Sequence, residues 1–449
     1  MSTIEKHDMT QGKILLPLVS FTIPLVLGNL FQLTYNAADS VIVGKYVGEQ
    51  ALAAVGTSTP IMNIAILLIS GMCMGASVLM SSQYGAKDYD TLSRQISTTM
   101  LAGCGFSVVF SLLMLLLANP VLRLIRVPET AIPEAAAYLR IIFMGLIFTF
   151  MYNFLANTMR ALGDSKTPLY FLVTSAFLNI FGDLFFVVVL RWGVAGSAIA
   201  TVCSEGLCCL LCGIYIKKKI PLLCLGKKWW VFDKSLLGKT VSYGSTSAMQ
   251  QVCLQLGKLI IQSVVNTQGV AVMAAFTAVN RVDDFAYTPQ QNIGHAMTTF
   301  LAQNKGAGHK ERMKKGFQTG LLIELVYSIG LFCVIWGLAP QIMTLFAEDG
   351  DAQVVSLGIS YLHLISWMYI LPGLTNGVQG FFRGIGDLKV TLYSTFMNMF
   401  GRVVAVFAMI RLLQMEFASL AWANMVGWIV MLLFEVPLLV KSMRNGECG

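Results

Sequence analysis

Twelve long apolar runs, separated by short polar turns, leave this chain almost no way to fold in water. A membrane-spanning helix needs about 20 mostly apolar residues. The runs fall near 14–43, 51–82, 92–118, 133–157, 168–190, 194–216, 236–265, 270–302, 316–339, 353–382, 388–411 and 416–440. Only 12% of the 449 residues are charged, so the surface is not that of a soluble domain. The expected fold is an all-α integral membrane protein with twelve transmembrane helices. The N-terminal segment MSTIEKHDMTQGK is polar and shows no cleavage-site pattern, so the first span is expected to be retained.

The net charge of +8 would suit a nucleic-acid partner, but Lys and Arg sit in the short loops between apolar runs. With both termini on one side, the loops there carry 22 Lys and Arg against about 6 on the other. That asymmetry predicts cytoplasmic termini and no nucleic-acid partner. The ten cysteines lie mostly within apolar runs; Cys208, Cys209 and Cys212 form a lone CxxC-like group, read as packing and not as a metal site.

The two halves resemble each other. NFLANTMRALGDSK from Asn153 matches NGVQGFFRGIGDLK from Asn376, LNIFGD matches MNMFGR further on, and SQYGAK near the start matches QNKGAG, all at an offset near 220 residues. Six spans per copy is an even number, so both copies insert the same way up and are related by a pseudo-twofold axis along the membrane normal. The expected domains are an N-terminal lobe, 1–216; a basic cytoplasmic linker, 217–239; and a C-terminal lobe, 240–449. Two six-helix lobes around a central cavity are the expected architecture.

One polar stretch interrupts the first run. In QLTYNAADS, Gln32, Asn36 and Asp39 follow at i, i+4 and i+7 and so share one helical face. An ionisable residue inside a membrane span is costly and marks a functional site by default. The repeat offers a control: Asp39 falls opposite Ile260 or Ile261, and Asp183 opposite Arg402. Acids needed only to hold a bundle together would be kept in both copies, so Asp39 and Asp183 read as functional.

The stretches AADSVIVGKYVG, ALAAVG, SSQYGAKD, RALGDSKTP, LNIFGDLFF and GVAGSAIAT carry a resemblance, covering essentially the whole chain, to the multidrug and toxic compound extrusion (MATE) transporters. Within that family they are more similar to the DinF-like and MepA-like bacterial branch than to the NorM branch. The resemblance implies a multi-pass protein of the bacterial cell (inner) membrane. It also implies antiport of cationic, amphipathic drugs or toxins outward for H+ or Na+ inward, with no cofactor and no metal beyond Na+, and a monomer in contact with membrane lipid. It places the coupling site at Asp39, Asn179, Asp183 and Thr201. The acids that the NorM branch adds on the seventh and tenth spans are missing here, which speaks against a second cation site in the C-terminal lobe.

The residues bear their own reading beside this. Asn179 and Asp183 share a helical face, as do Thr201 and Glu205, so three helices offer oxygens. Burial disfavours a charged carboxyl and a second carboxyl nearby disfavours it further, so such a pair can exchange a proton near neutral pH. Ionised, and joined by Asn and Thr oxygens, it can hold a hard cation. Both alternatives stay open. Glu205 is either an additional coupling group or a partner of Lys217 to Lys219.

Gln32, Tyr35, Asn36, Arg281, Asp283, Asp284 and Arg402 are expected to line the cavity; Arg281 can instead pair internally with the acids beside it. Lys258, Glu324, Arg402 and Glu435 are expected to pair among themselves. Arg160 and Arg383, in the RxxGDxK elements, are expected on cytoplasmic loops as a topological clamp. A lipid-linked saccharide flippase of similar fold is the alternative function. An intramembrane enzyme finds no nucleophile or metal-ligand motif, with only His7, His295, His309 and His363 to work with.

Overall fold

The computed structural model describes residues 8–125, 127–129, 131–220, 230–346, 352–413 and 417–444. Every regular element among them is helical. The first half holds α1 (Leu15–Tyr46), α2 (Glu49–Gly85), α3 (Tyr89–Leu124), α4 (Ile132–Met144), α5 (Leu146–Ala161), α6 (Lys166–Asp183) and α7 (Gly193–Lys219). The second holds α8 (Lys234–Val265), α9 (Val270–Gly306), α10 (Lys310–Phe346), α11 (Ala352–Ser366), α12 (Ile370–Ile385), α13 (Leu388–Leu413) and α14 (Ala418–Arg444).

Each expected span corresponds to one helix or one broken pair. Nine stretches among the described residues are individually long and apolar enough to cross a membrane, and the α4–α5 pair, bent by 47°, makes a tenth. The other two, α8 and α9, have 32 and 37 residues but carry more polar side chains, including Gln250, Gln251 and Lys258 in α8 and Arg281, Asp283 and Asp284 in α9. On α3, Val109, Leu112, Leu113 and Leu116 follow at helical spacing and all stay exposed. A helix that leaves a continuous apolar stripe outside is built for lipid.

The chain forms two compact units by its internal packing. One runs from Ile23 to Ala248; the other joins Met9 to Thr22 with the chain from Met249 onward. The boundary therefore falls inside α8, later than the linker marked by charge. Each unit has its own core. In the first, Ile69, Ala76, Leu92, Leu139, Phe143, Phe150 and Met159 are fully buried together; in the second, Val279, Tyr361, Leu362, Ile365, Tyr369 and Ala421 are. The described end of the linker is fastened to α3: the Val231 amide donates to Ser97 Oγ, the Asp233 amide donates to Thr98 Oγ1, and the Asp233 carboxylate pairs with Arg94. In the second unit, Arg312 donates to the carbonyls of Met9, Gln11 and Gly12 and so holds the segment before α1.

The backbone repeats itself where the sequence does. Gly48 and Gly269, just before α2 and α9, have φ of 115° and 102°, and Gly163 and Gly386, ending α5 and α12, have 89° and 85°. Positive φ is open to glycine without strain. Both copies also break the same span, at Gly145 between α4 and α5 and at a short 3-10 turn, Trp367–Tyr369, between α11 and α12.

Candidate functional site

In the first unit, small residues on α6 and α7 let their backbones approach, which is how helices pack closely in lipid. A Cβ on Gly182 would sit 2.9 Å from the Ala200 Cβ, and one on Gly196 would sit 3.1 Å from the Phe186 carbonyl. This proximity brings the polar face of α6 against that of α7. Directly after Asp183, α6 gives way to a π-helical stretch, Leu184–Val189, a local widening that often accompanies functional sites.

Asp183 is fully buried and Asn179 nearly so. The Asn179 amide donates to Thr201 Oγ1 at 3.2 Å, and the Thr201 hydroxyl donates to the Ser197 carbonyl at 3.1 Å. Ser197 Oγ in turn donates to Asp39 Oδ1 at 2.8 Å. The Asp39 and Asp183 carboxyls are near enough to act on each other electrostatically. The four residues expected at the coupling site are thus brought together from α1, α6 and α7, with Ser197 joining them.

Both Asp183 oxygens and Asn179 Oδ1 lack a hydrogen-bond donor among the described residues. Buried acceptors are almost always satisfied, and an ionised carboxylate without a donor or countercharge is costly. Two facing carboxyls and an amide oxygen form a set that a shared proton or a small hard cation completes, so the residues present fit either coupling ion.

Around this set, Glu205 Oε2 accepts from Thr149 Oγ1 on α5. Of its two sequence readings, the pairing with Lys217 to Lys219 is set aside: Glu205 turns toward α5, and those lysines follow three turns later on α7. Tyr35 is half-buried, near Gln32 and near the charges of Asp39 and Glu205. Gln32 is exposed, and the Asn36 side chain lies outside the described residues. Tyr138 of α4, buried and within electrostatic reach of Asp39 and Asp183, is a neighbour the sequence did not mark.

The second unit treats its acids differently. Asp283 on α9 is buried, with Tyr369 Oη donating to Oδ1 and Tyr361 Oη donating to Oδ2 at 3.3 Å; Asn424 Nδ2 donates to Tyr361 Oη at 3.0 Å. The positive charge of Arg402 acts on the same carboxylate. The expected cluster of Arg281, Asp283 and Asp284 is therefore split, because consecutive positions on a helix face different ways. Asp284 is exposed and pairs with Lys258 at 3.7 Å; Arg281 is exposed and makes no ion pair with either acid among the described residues.

The expected pairing among Lys258, Glu324, Arg402 and Glu435 is likewise corrected. Lys258 meets Asp284, Arg402 serves Asp283, Glu435 lies in the field of Arg383, and neither Glu435 nor Glu324 has a side-chain donor among the described residues.

Arg160 and Arg383 are not on loops. They occupy the last turns of α5 and α12, and Arg383 is buried, donating to Gln379 Oε1 at 2.9 Å and Gln250 Oε1 at 3.3 Å. Asp164, the acid of the first RxxGDxK element, accepts from the Lys166 and Thr167 amides and so caps α6. Cys208, Cys209 and Cys212 are free thiols, and Cys208 Sγ donates to the Phe171 carbonyl.

Comparisons with known proteins agree with this architecture. The profile of the MatE family matches residues 24–185 and again 247–410, once in each half. A probable multidrug resistance protein of Bacillus subtilis, YpnP, is 32% identical over 392 residues, covering 87% of this chain and 86% of its own. Among solved structures, an outward-facing multidrug resistance MATE family transporter of the MOP superfamily superposes with a TM-score of 0.91 at 22% identity, covering 100% of this chain and 99% of its own. A MOP superfamily transporter from Pyrococcus furiosus gives 0.90 at 22% identity over 99% of each chain. The second profile match, beginning about 220 residues after the first, falls where the internal repeat lies. This chain belongs to the MatE family, a family of membrane transporters and not of enzymes.

Proposed function

We propose that the protein is a secondary multidrug antiporter of a bacterial cell membrane, exporting cationic amphipathic compounds in exchange for H+ or Na+. The coupling ion binds at Asp39, Asn179 and Asp183, with Thr201 and Ser197 holding the group in place. One observation carries this reading: a fully buried Asp183 faces Asp39 and has no donor of its own among the described residues. The related YpnP, named as a probable multidrug resistance protein, supports multidrug export.

Coupling requires the ion to bind one access state more tightly than the other, since a ligand with equal affinity for both shifts nothing. A site on three helices has that property, because small movements of α1 against α6 and α7 change its acceptor geometry. No cofactor enters the cycle. The protein works as a monomer with both termini cytoplasmic, and Gln32, Tyr35 and Asn36 lead toward the drug site. The test is uptake of a fluorescent cation into proteoliposomes, driven separately by a pH gradient and a Na+ gradient. Transport should respond to at least one gradient and should lose that response in Asp39→Asn; normal driven export by that variant would refute the assignment.

A further inference from the structure

Glu324 on α10 and Glu435 on α14 are both buried carboxyls without a hydrogen-bond donor among the described residues, but only Glu435 feels a positive charge, that of Arg383. Glu324 is 1% exposed. It stands where two spans are interrupted: Pro289 inside α9, and the 3-10 turn between α11 and α12, with Pro372 in the first turn of α12. At that junction Gln290 Nε2 donates to the Tyr369 carbonyl at 2.8 Å and to Ser328 Oγ at 3.1 Å, while Ser328 Oγ donates to the Glu324 backbone carbonyl. All these donors are spent on other acceptors. Gln290 Oε1 is also without a donor among the described residues.

These groups converge on Gly373. A Cβ there would lie 2.9 Å from Ser328 Oγ, 3.3 Å from Gln290 Nε2 and 3.4 Å from Glu324 Oε2. The carboxyl, the Ser328 hydroxyl and Gln290 Oε1 offer fewer oxygens than the roughly six or more that a hard cation takes. A proton needs only the carboxyl.

The titratable groups near Glu324 are Tyr327 on its own helix and Tyr369 at the break, with no charged partner acting on it among the described residues. On α9, Tyr287 and Asp283 continue the face of Gln290. On α11, His363 stacks on Trp336, about three turns along α10 from Glu324. Tyr369 links the two acids: its hydroxyl donates to Asp283 while its carbonyl accepts from Gln290 and Ser328. A polar chain thus runs from Asn424 through Tyr361, Asp283 and Tyr369 to the surroundings of Glu324.

We propose that Glu324 is a proton-binding site of the second unit, taking up one H+ as its carboxylate becomes the acid and giving it back by the reverse step. Its contribution to antiport rests on the function proposed above; the binding of the proton does not. The site lies on α10, away from the position where the repeat would place a counterpart of Asp183.

The test is pH-difference infrared spectroscopy of the full-length protein in lipid, read at the carboxylic-acid C=O stretch. Wild type should show a titrating acid band that is lost in Glu324→Gln and kept in Asp183→Asn. A band unchanged by Glu324→Gln would overturn the proposal. Should that variant fail to fold, Ser328→Ala, which removes the hydroxyl that meets the carboxyl at Gly373, should move the band or its midpoint, and an unmoved band would equally overturn it. Because no gradient is used, a wild type that shows the band but does not antiport would sink the transport reading and leave this one standing.

Discussion

Asp183 in the first unit and Asp283 in the second are both buried carboxyls inside spans, yet their surroundings are opposite. Asp183 faces another acid and receives no donor among the described residues; Asp283 receives two tyrosine hydroxyls and the field of Arg402. An acid that the protein has neutralised is part of its framework. One left unsatisfied is free to take up and release an ion, and its occupancy can differ between states. At this one pair of repeat positions the halves have diverged: the place of Asp183 is taken by Arg402, whose positive charge acts on an acid of another helix.

The largest expected effect on this contrast comes from Asp183→Asn. The ion's effect on drug affinity, roughly 5- to 150-fold for a typical coupling, should largely vanish, and gradient-driven export in proteoliposomes should fall with it while the folded protein is still recovered from the membrane. Next is Tyr369→Phe, which strips Asp283 of its shorter hydrogen bond. Thermal unfolding in detergent should show a loss of about 1–3 kcal/mol, with drug export by the surviving protein retained.

A paired substitution probes packing. Gly182→Ala puts a methyl 2.9 Å from Ala200 Cβ and separates α6 from α7, for a cost of about 1–3 kcal/mol together with weaker export. Gly401→Ala, at the corresponding place on α13, meets the Val430 side chain at 3.3 Å and should cost less in the same melt. The smallest effect belongs to Lys258→Gln. It breaks a pair more than half exposed at both ends, so stability should change by less than about 1 kcal/mol and export should be unaffected.

Much of this was legible in the sequence, because the membrane forces a one-dimensional signal: long apolar runs become helices, and an even-numbered repeat fixes the copies' orientation. The gathering of Asp39, Asn179, Asp183 and Thr201 followed from the family resemblance together with helical spacing. What spacing did not reveal was mostly contact between helices distant in the chain. Ser197 shares a helical face with Thr201, one turn before it, but nothing in GVAGSAIAT shows that it reaches Asp39. Tyr361 and Tyr369 lie 78 and 86 residues from the acid they satisfy. Treating Arg281, Asp283 and Asp284 as one cluster ignored the 100° turn between neighbours on a helix, which sends adjacent acids to different environments. The π-helical stretch after Asp183 left no trace, since Leu184–Val189 reads as ordinary apolar helix.

The most direct test of the division between the units is equilibrium binding of a fluorescent drug cation to purified protein across pH and Na+ concentration. Ion and drug must affect each other's affinity reciprocally if they are coupled. The account predicts that Asp183→Asn removes most of the ion dependence seen in wild type while Asp283→Asn, in whatever fraction folds, keeps it. Ion dependence intact in Asp183→Asn, or abolished in Asp283→Asn alone, would contradict it.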